Sequence, residues 1–191
     1  MFCEHQQLQL IADIIAGVSG LSGSGEIAYD VVQPNHFADT DSIDPPDKQY
    51  RNEAVNKKQF LAAGDILVKR LNPSFVYVIE NDNRPMIASQ NLFVVRPGPN
   101  VDPYYLAFLL EQKDIICQAE HVTGSSAAIK AITIKKLGEL TVPLVSMDKQ
   151  KKIGCIWKLA RKRKRLLEEY IRESDRLGSM IMTRINAGGK E

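Results

Sequence analysis

From Lys151 to Ile185 the chain has no Pro and only two glycines, Gly154 and Gly178. The stretch is entered through a break at Val142-Pro143-Leu144 and then Met147-Asp148-Lys149-Gln150. Within it apolar side chains recur at alternating steps of three and four: Ile153, Ile156, Ala160, Leu167, Tyr170, Leu177 and Ile181. That spacing marks a helix with a coiled-coil seam. At ~1.5 Å per residue such a helix reaches roughly 50–55 Å. A rod of that length cannot bury its own stripe within 191 residues, so it needs another helix, from a second copy or from a partner. The rest of the chain then reads as a globular unit on a strut, a device for holding two things a fixed distance apart.

The rod carries the run Arg161-Lys162-Arg163-Lys164-Arg165. Counting steps from Ile153 places Arg163 on the seam, where a polar residue fixes register at some cost in stability. Glu168, Glu169 or Glu173 of an antiparallel mate would be its partner. The other cations either follow a polyanion or are solvated charges. Trp157 and Tyr170 are packing anchors, Trp157 through contact between the helix base and the globular unit.

Net charge is only +2, but it is unevenly placed. The first 120 residues hold 9 Lys/Arg against 16 Asp/Glu, and the rest hold 16 against 7. The basic part suits either a polyanion partner or a plain solvated helix surface. Cys3, Cys117 and Cys155 have no zinc or redox spacing, and scattered thiols suit a reducing cytoplasm. No apolar run approaches the ~18–20 residues of a membrane span, and the first residues lack a signal-peptide pattern.

Along the chain, Gln9 to Ala16 is a short apolar element, helix or strand. Gly17 to Gly25 is a Gly/Ser-rich flexible loop; it lacks the Lys-Ser/Thr ending of a phosphate loop. Ile27 to Gln33 alternates as a strand, and Pro34 to Asn52, with Asp39, Asp41, Asp44 and Asp47, is an exposed excursion. Phe60 to Asp65 turns into the strand Ile66 to Arg70. Phe75 to Glu80 and Gln90 to Arg96 are further strands, with a turn at 81–84. Asp102-Pro103 opens a helix as N-cap and first residue, and Leu106, Leu109, Leu110, Ile115 and Ile116 are its buried side. A polar turn at Val122 to Ser126 precedes a strand from Ile129 to Ile134. The expectation is an α+β domain over residues 1–146, then one long spacer or dimerisation helix over 147–191 with a frayed tail from Asn186.

Several segments in this order resemble one half of a specificity subunit of type I restriction–modification systems. They are Leu61-Ala62-Ala63-Gly64-Asp65-Ile66-Leu67, then Asn91 to Pro97 followed by Val101 to Leu110, then Gly124-Ser125 with Ile129 and Leu137, and finally Pro143, Gln150 and Ile153. The match runs from about residue 8 to 180. It departs from the family in lacking a Trp-containing start and in having Val145 where a second Pro is common. The resemblance implies a target recognition domain that reads a few base pairs of double-stranded DNA, and a spacer helix that docks a methyltransferase subunit and, through it, a restriction subunit. It implies no cofactor. Full-length subunits usually carry two such units with antiparallel spacers, and this sequence carries one. It is therefore either a half-length subunit that forms a homodimer through residues 150–185 or a piece of a longer chain. A two-fold dimer would bind an interrupted palindrome.

The chemistry of an amino-methyltransferase is not assembled here. Asp44-Pro45-Pro46-Asp47, Asn72-Pro73-Ser74-Phe75 and Asp102-Pro103-Tyr104-Tyr105 each miss part of the Asp/Asn-Pro-Pro-aromatic turn, and no cofactor-binding glycine loop accompanies them. His5, His36 and His121 are isolated and are expected in surface or loop positions. For DNA, phosphate contacts position and base contacts specify. Lys57, Lys58, Lys130, Lys135 and Lys136, with the turn Thr123-Gly124-Ser125-Ser126, are the phosphate candidates. Lys69, Arg70, Asn72, Asn83, Arg84, Gln90 and Asn91 sit at strand ends or turns and are the base-reading candidates. The competing readings are a coiled-coil adaptor without sequence preference and a small DNA-modifying enzyme.

Overall fold

The computed structural model describes residues 4–37, 46–71, 76–81, 83–118, 121–123 and 129–188. In chain order the elements are β1 (Glu4–Gln7), α1 (Leu8–Ile11), β2 (Ala12–Ala16), β3 (Ile27–Val32), β4 (Asp47–Arg51), a 3-10 turn (Lys57–Gln59), β5 (Ile66–Lys69), β6 (Val76–Val78), β7 (Met86–Ala88) and β8 (Leu92–Pro97). There follow α2 (Pro103–Leu110), α3 (Lys113–Ile116), β9 (His121–Thr123), β10 (Ile129–Ala131), α4 (Ile134–Gly138), β11 (Thr141–Leu144) and α5 (Met147–Gly188).

A four-stranded antiparallel sheet, ordered β2-β8-β5-β6, forms the middle layer. Its strands are apolar except at Asp13, Lys69 and Arg96, because both faces are covered. Ile66, Val68, Val76, Val78, Phe93 and Val95 face the helices and pack with Leu106, Leu110, Ile132 and Leu137. Leu67, Tyr77, Leu92 and Val94 face the other way, onto Val32, Phe37 and Leu61. Behind them lies a smaller sheet, β4-β3-β7, whose own core is Val18, Tyr29, Val31, Val55 and Ile87. A two-stranded ribbon joins β1 to β11, and β9 pairs with β10.

The α+β architecture is as expected, and several elements differ from the sequence reading. Gln9 to Ala16 is both alternatives in turn, the end of α1 and then β2. The excursion from Pro34 contains β4, which pairs Asp47–Arg51 with β3; an edge strand needs little apolar alternation, so Asp-Lys-Gln-Tyr-Arg hid it. Residues 38–45, with Asp39, Asp41 and Asp44, lie outside the described residues. The Val142-Pro143-Leu144 break is β11, where Pro143 sits opposite His5; Pro is tolerated in so short an edge ribbon. The strand at Ile129 stops at Ala131, and Thr133 caps α4 by accepting a bond from the Lys136 amide. β7 was not anticipated. His36 lies in a loop, one of the two positions expected, but it is buried there: its Nδ1 accepts from the Gln33 amide at 3.2 Å and its Nε2 lies 3.2 Å from Asp47 Oδ2.

The motif residues act as fasteners. Gly64 turns with φ +89°, where any side chain would be strained. Asp65, 1% exposed, takes two bonds from Arg96, Nε at 2.8 Å and Nη2 at 2.7 Å, and one from the Ala62 amide. Asp102 caps α2 by accepting from the Tyr105 amide at 2.9 Å.

Helix α5 has 42 residues, about 63 Å at 1.5 Å per residue and so longer than expected. It continues through Asn186, where fraying was expected. Its first turns are seated on α2. Gln150, 3% exposed, accepts from the Asp102 amide at 2.9 Å and donates to the carbonyls of Val145 (2.9 Å) and Asn100 (3.3 Å). Gly154 lets the helices touch: a Cβ there would lie 2.5 Å from Asp102 Oδ1. Trp157 Nε1 donates to Glu111 at 3.0 Å, and Arg161 pairs with the same carboxylate. Lys158 bridges to Glu80 at 2.7 Å and to the Tyr104 hydroxyl at 2.8 Å. Their mutual hydrogen bond holds Glu80 below the usual carboxylate range and lifts Lys158 above the usual amine range, with Tyr104 assisting both.

Candidate nucleic-acid interface

The antiparallel sheet has two ends. α5 is first seated at the end where β5 begins and β8 finishes, where Lys158 meets Glu80, and reaches the start of β6 through Glu111, which accepts from Trp157, Arg161 and the Val76 amide. At the opposite end β5 finishes in Lys69 and Arg70, and the β7–β8 turn presents Gln90 and Asn91. The Arg70 amide donates to the Asn91 carbonyl at 3.0 Å, and the Ile132 amide donates to the Arg70 carbonyl at 2.9 Å. A bridge between Leu71 and Ala131 brings the β9–β10 hairpin to the same end. Thr123 and Lys130 belong to that hairpin by backbone pairing, while Gly124, Ser125 and Ser126 at its tip, and Asn72, lie outside the described residues. Aromatic rings steady the two cations: Lys69 Nζ is 5.0 Å from the Phe37 ring centre, and the Arg70 guanidinium is 5.9 Å from that of Phe93.

The remaining candidates are elsewhere. Lys57 and Lys58 are near the helix-bearing end, where the Lys58 carbonyl accepts from Arg96 at 3.4 Å. Asn83 and Arg84 follow Glu80 in the β6–β7 connection at that same end. Lys135 and Lys136 lie on α4, over β2; Lys136 is paired with Glu139 at 3.3 Å. These ten candidates therefore split into a coherent group, Lys69, Arg70, Gln90 and Asn91, and a dispersed group of six.

Beside the coherent group is a polar cleft of about 100 Å³ between the Val18–Leu21 loop, Gln33, Gln49 and the Ser89-Gln90-Asn91 turn. Four side-chain amides, those of Gln33, Gln49, Gln90 and Asn91, line it. Ser89 is also among its lining residues, and its Oγ is buried without a hydrogen-bond partner within the protein. The Gly/Ser loop that forms its rim is tied to the neighbouring strands at Gly17, Val18 and Ser22. The Val18 amide donates to Ala88 at 2.8 Å, Ser22 and Tyr50 exchange backbone bonds at 3.0 and 2.9 Å, and a Cβ on Gly17 would fall 1.9 Å from the Ser89 carbonyl oxygen. Gln33, Gln49, Ser19 and Ser89 were missed in the sequence. Gln49 lies on β4, which carried no strand signal, and the others gain meaning only from their neighbours in space.

Among the described residues no three His, Cys, Asp or Glu side chains are placed to hold a metal, and no helix is long and apolar enough to cross a membrane. Helix α5 bears its charges differently from the seam count. Arg161 is turned onto the head; Lys164 and Arg165 lie 3.7 Å from Glu168 and Glu169 of their own helix. Ile153 is half-buried against the head. Ile156, Leu167, Tyr170, Leu177 and Ile181 are all more than half exposed, and Ala160 and Arg163 are exposed too. At 100° per residue this stripe points roughly 140° away from the Gln150–Gly154–Trp157–Arg161 face.

Comparison of the sequence with curated proteins gives no match. Among solved structures the chain is similar to a chain of a type I R-M system assembly, with TM-score 0.66, 18% identity and 93% of this chain against 43% of that one. It is also similar to the type I restriction-modification system S subunit from M. genitalium, with TM-score 0.64, 14% identity and 100% against 47%. A third likeness is to the HsdS subunit from Thermoanaerobacter tengcongensis, with TM-score 0.60, 18% identity and 87% against 39%. The chain thus spans less than half the length of each. A type IIG restriction endonuclease, BpuSI, shares the fold over 81% of this chain, with TM-score 0.58 and 10% identity. Residues 24–168 match the model of the type I restriction modification DNA specificity domain, well over half of the sequence, and the chain belongs to that family.

Proposed function

We propose that this chain is a non-catalytic, sequence-specific DNA reader that directs the methyltransferase subunit, and through it the restriction subunit, of a type I system to a bipartite target in the cytoplasm. The observation that carries the reading is the placement of Lys69 and Arg70, at the end of β5, beside the Gln90-Asn91 turn, which itself lines a cleft with Gln33 and Gln49. Asn and Gln amides match the adenine edge, and Arg matches guanine. The head reads as one unit, residues 1–146, and the helix from 147 as spacer. Two copies joined through the exposed stripe of α5 present two identical readers. Lys57, Lys58, Lys130, Lys135 and Lys136 serve as weaker phosphate contacts.

Selection from a randomised duplex library tests the reading. A reader enriches one interrupted, two-fold sequence, with affinity falling steeply as salt rises. Arg70→Ala then lowers preference for that sequence by about 1–3 kcal/mol per discriminated base. Equal retention of all sequences would favour an adaptor without DNA preference. In sedimentation, Leu167→Asp yields monomers; an unchanged sedimentation coefficient would show that the stripe is not where copies meet.

A further inference from the structure

A side-chain amide carries an oxygen on one side and an NH2 on the other, and a half turn about its last bond exchanges them. An amide free to turn suits a donor or an acceptor equally, so it selects weakly between bases. An amide whose orientation is fixed by the protein selects strongly. Of the four amides at the cleft, those of Gln49, Gln90 and Asn91 make no side-chain hydrogen bond to a described residue, whereas that of Gln33 is held.

The hold comes from the turn that follows β3. Pro34 suits the first central position of Gln33-Pro34-Asn35-His36, and the His36 amide donates back to the Gln33 carbonyl at 3.1 Å. The turn also brings the buried His36 ring to the Gln33 backbone, whose N–H donates to Nδ1 at 3.2 Å. An N–H can point only at a ring nitrogen that carries no proton, so the proton of the neutral ring is on Nε2. Nε2 lies 3.2 Å from Asp47 Oδ2, and the same oxygen accepts from Gln33 Nε2 at 2.7 Å. A carboxylate only accepts, so the corner of the Gln33 amide turned to Asp47 must be nitrogen. Oε1 is left as the end open to a ligand.

We infer that Gln33 is a specificity-determining residue of the cleft, offering Oε1 to the exocyclic amine of an adenine or a cytosine, and that His36 and Asp47 are positioning residues that keep that oxygen outward. The inference deepens the proposed DNA-reading role and rests on it. In the major groove adenine and cytosine present an amine donor where guanine and thymine present a carbonyl acceptor. Against guanine or thymine the fixed oxygen of Gln33 meets another oxygen, and neither gains a hydrogen bond. A turning amide would accept those bases through its NH2. Gln49 stands two residues on from Asp47, on the same face of β4, and is free to turn. It adds contact but little selection.

Selection from a randomised duplex library is run on the full chain and on Gln33→Met, Asp47→Ala, Asp47→Asn and Gln49→Met, with circular dichroism to check that each is folded. The unaltered chain should enrich adenine or cytosine at one position where Gln33→Met and Asp47→Ala relax the preference by about 5–50-fold, every other position keeping its own. Asp47→Asn retains an oxygen for the Gln33 and His36 donors, so it should retain the preference, and Gln49→Met should leave that position unchanged. A purely structural role would instead weaken all positions alike. At the position found, a base analogue lacking only the amine should weaken binding of the unaltered chain by about 5–50-fold and leave Gln33→Met unaffected. Indifference of the unaltered chain to the analogue, or an equal loss in Gln33→Met, overturns the role of Gln33 whether or not the other variants fold. Full preference in Asp47→Ala overturns the positioning role. A chain that enriches no sequence at all overturns DNA reading and this inference with it, so the two failures are told apart.

Discussion

Gln150→Leu removes the fastener between head and rod while keeping side-chain volume. The buried amide makes three bonds: it accepts from Asp102 N–H and donates to the carbonyls of Val145 and Asn100. Leucine leaves the Asp102 N–H and the Val145 carbonyl without partners in a site 3% exposed. Each such group costs about 1–3 kcal/mol. The added apolar burial recovers about half of this, since fully burying a leucine gives about 1.5–3 kcal/mol. The net loss is about 1–3 kcal/mol, which for a chain of this size lowers Tm by roughly 3–12 °C. Thermal unfolding followed by circular dichroism measures it, and Trp157 fluorescence reports the same site because its indole sits about two turns along the helix. Gln150→Glu keeps the acceptor but turns a carboxylate towards two carbonyls, so it is expected to be worse at neutral pH and to recover on acidification. A fall in Tm below about 3 °C for Gln150→Leu, under ~1 kcal/mol, would show that water replaces the amide freely and that the seat of α5 is not as tight as its geometry requires.

Gly154→Ala drives a Cβ into Asp102 Oδ1 and the Tyr105 amide, so it should destabilise by about 1–3 kcal/mol and shift Trp157 emission. Gly17→Ala should leave Trp157 unmoved but displace the Val18–Leu21 rim from the Ser89 turn, lowering DNA selectivity measured by competition binding. The Glu80–Lys158 bridge sets a pH window. The folded state holds Glu80 below its ordinary value of 4.5, so its contribution is complete above that value and is lost as pH falls through the lower folded value. Lys158 is raised above its ordinary 10.5, so its contribution is complete below 10.5 and is lost only at more alkaline pH. Urea midpoints should therefore decline on acidification below about pH 4.5, and Glu80→Gln should remove the Glu80 part of that decline.

The sequence by itself determined the long helix, the central strands and the cap of α2, because each is a local signal. Alternating threes and fours need only the chain's own periodicity; apolar runs such as Ile66-Leu67-Val68 announce strands covered on both sides; Asp102-Pro103 starts a helix wherever it occurs. It also carried the family resemblance, through Gly64, Asp65, Pro143 and Gln150, whose roles in the fold are structural. What only the tertiary structure decided is which residues meet. β4, β7 and β11 are short or polar edge strands that exist because a partner offers them hydrogen bonds, so no periodicity in their own residues marks them. Lys69, Arg70, Gln90 and Asn91 converge because β5 and β8 run antiparallel, which puts the end of one beside the start of the other, and Lys57, Lys58 and Arg84 are carried to the far end by the same rule. Trp157, Lys158 and Arg161 face the head, and Ile156, Leu167 and Tyr170 face away, because Gly154 and Gln150 fix the rotation of α5 on α2. A helical repeat states that a stripe exists; only contact with the body chooses the side on which it is left open.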